Sequence, residues 1–335
     1  MPGSLHTLML APMAELSHRA LRELIHGFTG PGVVYHTEMI SAPGLLTGGP
    51  FEKWYLDSGP CPRQLVYQLL GPDTDHLVKA AILLDREESL GIDINMGCSA
   101  PAITRTGSGV RWMEDPDKAA GLVEALRKVT KKQISAKIRL GPKPGRNQKS
   151  EKIPNLEALI RFCRGMEAAG LDMITLHPRL AEEKFKRRAR WEYVEALRKE
   201  LRIPVTGNGD IASAEELARR AAAGPVMSGR LLVREPWAFA AALTGRFVKE
   251  NASSFGAAPD DQLRKRLEET GLRFLELLAR YQPPEFHLSR ARRFFRYYCD
   301  NVTWAEHLRN KINREETLTG IERVWQDYFK ETPGN

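Results

Sequence analysis

The chain has 335 residues, 42% apolar and 27% charged, with 27 glycines and 21 prolines, a composition that excludes disordered, collagenous and fibrous proteins and leaves enough chain for a large core. No window approaches the ~20 uninterrupted apolar residues of a bilayer span, and the opening MPGSLHTLML lacks the basic-then-apolar layout of an export signal, so a cytoplasmic protein without membrane contact is expected. Fifty Lys and Arg against 42 Asp and Glu leave a net charge of +8, which favours a polyanionic partner without specifying one; no feature marks an obligate protein partner.

Eight short apolar or β-branched runs recur along the chain, each closed by a Gly, Pro or polar cluster: 8–13, 33–39, 65–71, 91–97, 134–141, 173–179, 204–210 and 225–230. The segments between them carry apolar residues at helical spacing, as in 75–88, 116–129, 155–170 and 213–224, the last opening with the capping box Ser213-x-x-Glu216. Parallel strands need helical crossovers, so eight alternating units over about 240 residues predict an α/β fold of the (β/α)8 TIM-barrel type. A doubly wound sheet is the alternative, but no strand runs into the G-x-G-x-x-G turn expected of its dinucleotide sites.

The barrel is expected to occupy residues 1–249 and a small-residue linker residues 250–261, followed by a small all-helical domain over 262–335 with helical patterns at 263–281, 288–302 and 320–329. At 100° per residue, Arg292, Arg293 and Arg296 fall on one half of the middle segment and Phe294, Phe295 and Tyr298 on the other. The aromatic half suits a core; the arginine half suits either solvent or a phosphate backbone. Two further basic runs are conspicuous: ten Lys and Arg between Arg127 and Lys152 against the single acid Glu151, and Lys184, Lys186, Arg187, Arg188 and Arg190.

Chemistry in such a barrel sits at the carboxyl ends of the strands. Read in order, those ends carry Pro12-Met13-Ala14, Glu38, Gln68, Asn95 with Cys98, Lys137 with Arg139, His177 with Arg179, Asn208-Gly209-Asp210 and Gly229-Arg230. Any one of them could be a hydrogen-bonded structural group, but eight coincident placements point to a site. Glycines with Arg230 after the last two strands suit a phosphorylated ligand, the alternative being tight turns alone. Among Cys61, Cys98, Cys163 and Cys299, only Cys98 is flanked by polar strand-end groups that could position it as proton donor or nucleophile; no metal spacing is present.

Together APM at 11–13, VYQLLG at 66–71, DINMGC at 93–98, KIRLG at 137–141, ITLHPR at 174–179, GNGDI at 207–211 and SGR at 228–230 resemble, in order and spacing, the tRNA-dihydrouridine synthases. The Arg-rich C-terminal segment is most similar to that of the bacterial subgroup modifying U16. The resemblance implies an FMN-bound barrel that takes hydride from NADPH and reduces the C5–C6 bond of uridines in tRNA. It assigns Pro12, Met13 and Ala14 to the isoalloxazine, Gln68 to its pyrimidine edge and Lys137 to the region of N1 and O2, where charge gathers. His177, Asn208, Gly209, Asp210, Gly229 and Arg230 take the ribityl phosphate. Asn95 and Cys98 meet the uracil, with Cys98 giving the proton to C5; Arg139, Arg179, Arg292, Arg293 and Arg296 complete the substrate set. Departures from the family pattern are Ser99, Ala102 and the displaced Pro101 in the cysteine loop, Pro178 after the histidine, and Phe185 where Tyr is common. A flavin enzyme acting on a free pyrimidine and a tRNA binder that has lost catalysis are the competing readings.

Overall fold

A computed structural model describes residues 7–141, 155–183, 186–247 and 261–331. Eight strands, β1 (Leu8–Leu10), β2 (Tyr35–Ser41), β3 (Leu65–Leu70), β4 (Gly91–Met96), β5 (Gln133–Ile138), β6 (Met173–Leu176), β7 (Val205–Asn208) and β8 (Val226–Ser228), form one sheet in the order β1-β8-β7-β6-β5-β4-β3-β2, every pair parallel. Val34, just ahead of β2, closes the circle. It bridges to Met9, and its backbone bonds both Leu8 and Leu10 of β1. The expected (β/α)8 barrel is therefore the fold.

Helices cover one face of the sheet and the barrel interior takes the other, so β3 and β4 are buried along their whole length, Gln68, Asp93 and Asn95 included. Along β1, Leu8 and Leu10 join the large apolar layer between sheet and helices, while Met9 joins Ala11, Val34, Val66, Met173 and Met227 in a separate cluster. The period of two along the strand places that smaller cluster inside the barrel, beneath the polar strand ends. The helices follow local rules. Asp115, Asn155 and Ser213 each cap a helix by accepting a backbone N–H three residues on. In the predicted capping box Glu216 reaches back to the N–H of Ala212, one residue beyond the expected partner Ser213.

Beyond the barrel the described residues form four α-helices, Asp261–Tyr281, Pro284–Tyr298, Ala305–Arg314 and Leu318–Glu331. Phe294, Phe295 and Tyr298 are fully buried, with the Phe294 ring stacked on Phe274 at 3.7 Å between centroids. A Cβ on Gly271 would lie 2.4 Å from the Trp325 indole nitrogen, so the bare backbone there is what lets Trp325 seat against the first helix and donate to Glu268 O. The apolar core continues from the barrel into these helices, and the helix Arg19–Thr29 packs against Asp261–Tyr281. Of the expected linker 250–261, all but Asp261 lies outside the described residues, as do Lys143, Arg146, Lys149, Lys152, Lys184 and Phe185. In the described part of the basic run, Arg127 pairs with Asp172 and Lys132 bonds Leu84 O and Ser89, so both brace the barrel wall. Among the described residues no helix is long and apolar enough to cross a membrane.

Candidate active site

A cleft of about 420 Å³ opens at the carboxyl ends of the strands. The loop after β1 gives Pro12, Met13 and Ala14; β4 and its loop give Asn95 and Cys98; β5 and its end give Lys137 and Arg139. The ends of β6, β7 and β8 add His177, Asn208-Gly209-Asp210 and Gly229-Arg230, and Arg293 with Tyr297 close one side from the helix Pro284–Tyr298. Fourteen of the residues singled out in the sequence thus line one cavity: Pro12, Met13, Ala14, Asn95, Cys98, Lys137, Arg139, His177, Asn208, Gly209, Asp210, Gly229, Arg230 and Arg293.

The cysteine loop is held from below by a chain of hydrogen bonds. Ser135 Oγ and Gln68 Nε2 donate to the Asp93 carboxylate at 2.6 and 2.7 Å, Asn95 Nδ2 donates to Gln68 Oε1 at 2.9 Å, and Asn95 Oδ1 accepts the Cys98 N–H at 2.9 Å. The parallel register that sets Asp93 opposite both Gln68 and Ser135 makes this possible. Gln68 is fully buried in that chain instead of lining the cleft, with one amide proton beyond those two bonds. Burial pushes the Asp93 carboxyl up to about 6 against the pull of its Gln68 and Ser135 hydrogen bonds and of Lys137. Lys137 is depressed to about 8 by burial and by the neighbouring Arg139 charge, which Asp93 and Cys98 partly offset. An ammonium in that state is destabilised until an anion arrives.

The other end of the cleft is organised by Arg179. Its guanidinium donates to both Asp210 oxygens at 2.6 Å, to Arg187 O at 2.5 Å and to His177 Nε2 at 3.0 Å. Arg179 is buried behind these groups and does not reach the cleft. Burial and the surrounding Lys137, Arg139, Arg179 and Arg230 charges drive the His177 imidazole far below its ordinary range, so the ring is neutral. With Nε2 accepting from Arg179, its proton resides on Nδ1. Burial alone would raise the Asp210 carboxyl, but the Arg179 hydrogen bonds, the Ala189 N–H and Arg230 at 3.8 Å hold it below the usual carboxylate range. Gly209 has φ +121°, and a Cβ there would lie 2.9 Å from the His177 ring; the glycine is needed for both reasons.

The loop carrying Pro12–Ala14 is tied to the C-terminal helices. Glu15, at φ +63°, donates its N–H to Glu38 Oε1 at 2.5 Å and pairs its own carboxylate with Arg293 at 3.1 Å. The second Glu38 oxygen lies 3.0 Å from Arg290, and both side chains are almost wholly buried. Burial raises the Glu38 carboxyl, and Arg290 and the Glu15 N–H pull it only part of the way back. Glu15, Tyr297, Met39 and Met227 carried no signal of their own in the sequence; Glu38 was visible only as a polar strand end. Arg292 and Arg296 lie away from this cavity, on a second cleft of about 700 Å³ that shares Glu15 and Arg293 with it or with its loop.

The donor set suits a flavin mononucleotide. A glycine-turned end made by Gly209, Gly229 and Arg230 fits a phosphate, and Lys137 offers a buried cation on the same cleft. Fold and cleft together define a TIM-barrel protein with a polar, cation-bearing cleft at the carboxyl ends of its strands.

The comparisons with known proteins agree. Residues 9–332 match the family model described as Dihydrouridine synthase (Dus). The chain is 33% identical over 233 residues to a probable tRNA-dihydrouridine synthase of Rhizobium leguminosarum bv. phaseoli, covering 69% of each chain. It is 30% identical over 240 residues to one of Aquifex aeolicus, covering 69% of this chain and 71% of that one. Among solved structures, TcOYE with pHBA aligns at TM-score 0.50 and 8% identity, over 71% of this chain and 89% of that one. A 2-naphthoyl-CoA reductase complex aligns at TM-score 0.51 and 11% identity; the match covers 72% of this chain and about half of that one, 50%, and at such identities the likeness is one of fold. The chain belongs to the dihydrouridine synthase family.

Proposed function

We propose that this chain is a tRNA-dihydrouridine synthase that binds FMN at the barrel mouth, draws electrons from NADPH and reduces a uridine of tRNA to 5,6-dihydrouridine. The observation that carries the reading is the gathering of Cys98, Asn95, Lys137, His177, Asn208–Asp210 and Gly229–Arg230 around one cleft.

In this reading Arg230, His177 and the Gly209 and Gly229 turns hold the phosphate end, and the Pro12–Ala14 loop lines the ring. Lys137 faces the pyrimidine edge, where its charge is compensated once negative charge develops. Hydride for C6 of the uracil is the chemistry that the flavin supplies when bound. Asn95 fixes the Cys98 loop so that the thiol gives its proton to C5 on the far face of the base, quenching the charge on the uracil. Arg139 and Arg293 at the walls receive the nucleotide, with Arg292 and Arg296 on the adjoining cleft along the RNA body, while Arg179 acts behind them by holding Asp210 and His177. A uridine inside folded tRNA must be turned out to enter. The target position is U16, by similarity of the Arg-rich C-terminal segment to that subgroup.

Purified protein tests this directly. The preparation should show flavin absorbance, oxidise NADPH, and form dihydrouridine in tRNA at position 16 when positions are mapped. Cys98→Ala should keep the flavin and NADPH oxidation yet lose most dihydrouridine formation; wild-type tRNA reduction by that variant would exclude the thiol as donor.

A further inference from the structure

Among the described residues only three non-glycine residues have positive φ: Glu15, Asp210 and Trp304. The first two stand at the barrel mouth, and backbone held in a disfavoured region concentrates at functional sites because nothing else repays it. Trp304 is the outlier of the three. A bulky aromatic residue at φ +55°, ψ 30° is strained, and this one is also 77% exposed, so it forgoes the burial that normally justifies an indole. No ring stacking or cation–π contact engages it among the described residues.

Its surroundings over-determine the strained loop. Tyr328 OH donates to Thr303 O and shares a second hydrogen bond with Thr303 Oγ1, and Trp304 O receives the N–H of Leu308 in the first turn of the helix Ala305–Arg314. That helix buries Leu308 and Ile312 and brings Glu306, Arg309, Asn310 and Asn313 to the 700 Å³ cleft, which Arg292 and Arg296 of the preceding helix also line; Trp304 stands at the head of the helix and is not itself among the lining residues. An exposed aromatic plate at the head of a helix that walls an arginine-lined cleft has the elements of a single-strand nucleic-acid grip: cations for the phosphates and a π-face for a base.

We propose that Trp304 is a stacking platform for an unpaired base of the RNA, outside the catalytic cleft. The proposal rests on tRNA being the substrate. Trp304→Gly removes the ring and relieves the positive φ, and Trp304→Phe keeps a ring. Expected for Trp304→Gly is a melting temperature at or above wild type and unchanged flavin absorbance. Its tRNA affinity should fall about tenfold, or ~1.4 kcal/mol, largely restored by Trp304→Phe. Affinity equal to wild type, whatever the melting temperature, overturns the proposal and would be the result for a protein-docking residue. A melting temperature lowered by several degrees in both variants, with loss of affinity in proportion to unfolded protein, also overturns it and marks a structural residue. Wild-type protein that neither retains nor modifies tRNA refutes the proposed function itself, a separate outcome read before any variant.

Discussion

Glu38 and Arg290 offer a test that separates stability from cofactor binding. Their side chains are 5% and 3% exposed, so Glu38→Gln leaves a guanidinium buried without its counter-ion. Breaking a buried pair from one side costs about 4 kcal/mol. With an unfolding entropy of about 2.1 cal/mol/K per residue over this chain, the melting temperature should fall roughly 6 °C. The amide oxygen of Gln still accepts the Glu15 N–H, so the Pro12–Ala14 loop stays in place and flavin affinity should change little. The double variant Glu38→Leu/Arg290→Met removes both charges and should melt within about 2 °C of wild type, since apolar replacement of a buried pair is close to neutral. It also deprives Glu15 of its acceptor, so its flavin should dissociate severalfold more readily. Calorimetry and fluorescence of released flavin give the two readings. A double variant as unstable as the single one, or one that holds flavin as tightly as wild type, would refute the assignment of these contacts.

Arg230→Ala should lose FMN on dialysis, because a phosphate cradle made of glycine turns retains no fixed cation in that position; full retention by absorbance would contradict the assignment. For Lys137 the sign is set by its depression to about 8 in the folded protein, against ~10.4 unfolded. Between those values the unfolded chain holds the extra proton, so the flavin-free protein gains stability from this group as pH rises from about 8 towards 10.4. Lys137→Met should lack that gain, and denaturant melts at pH 7.5 and 10 compare the two; parallel pH trends would argue against a depressed lysine.

The barrel could be read from the chain because parallel strands buried on both faces are short apolar runs, and because the groups that end them must be polar. That is why Cys98, Lys137, His177 and Arg230 could be named before any coordinates. Which way a polar side chain turns was not readable. Gln68 and Arg179 stand at strand ends like the others, but Gln68 is drawn down by Asp93 and Arg179 is drawn back by Asp210, partners fixed only once the register and the loops form. The helix Ala305–Arg314 went unnoticed because only Leu308 and Ile312 mark its inner face. Glu38 and Arg290 lie at opposite ends of the sequence, and nothing local announces that they meet.

Arg293 stands on both clefts, and its carboxylate partner belongs to the loop that walls the inner one. The two clefts are therefore braced by one shared ion pair. Swapping the terminal helices between relatives to redirect the modification would disturb the inner cleft as well, so a change of target is more accessible through individual residues on the outer surface of those helices than through exchange of whole modules.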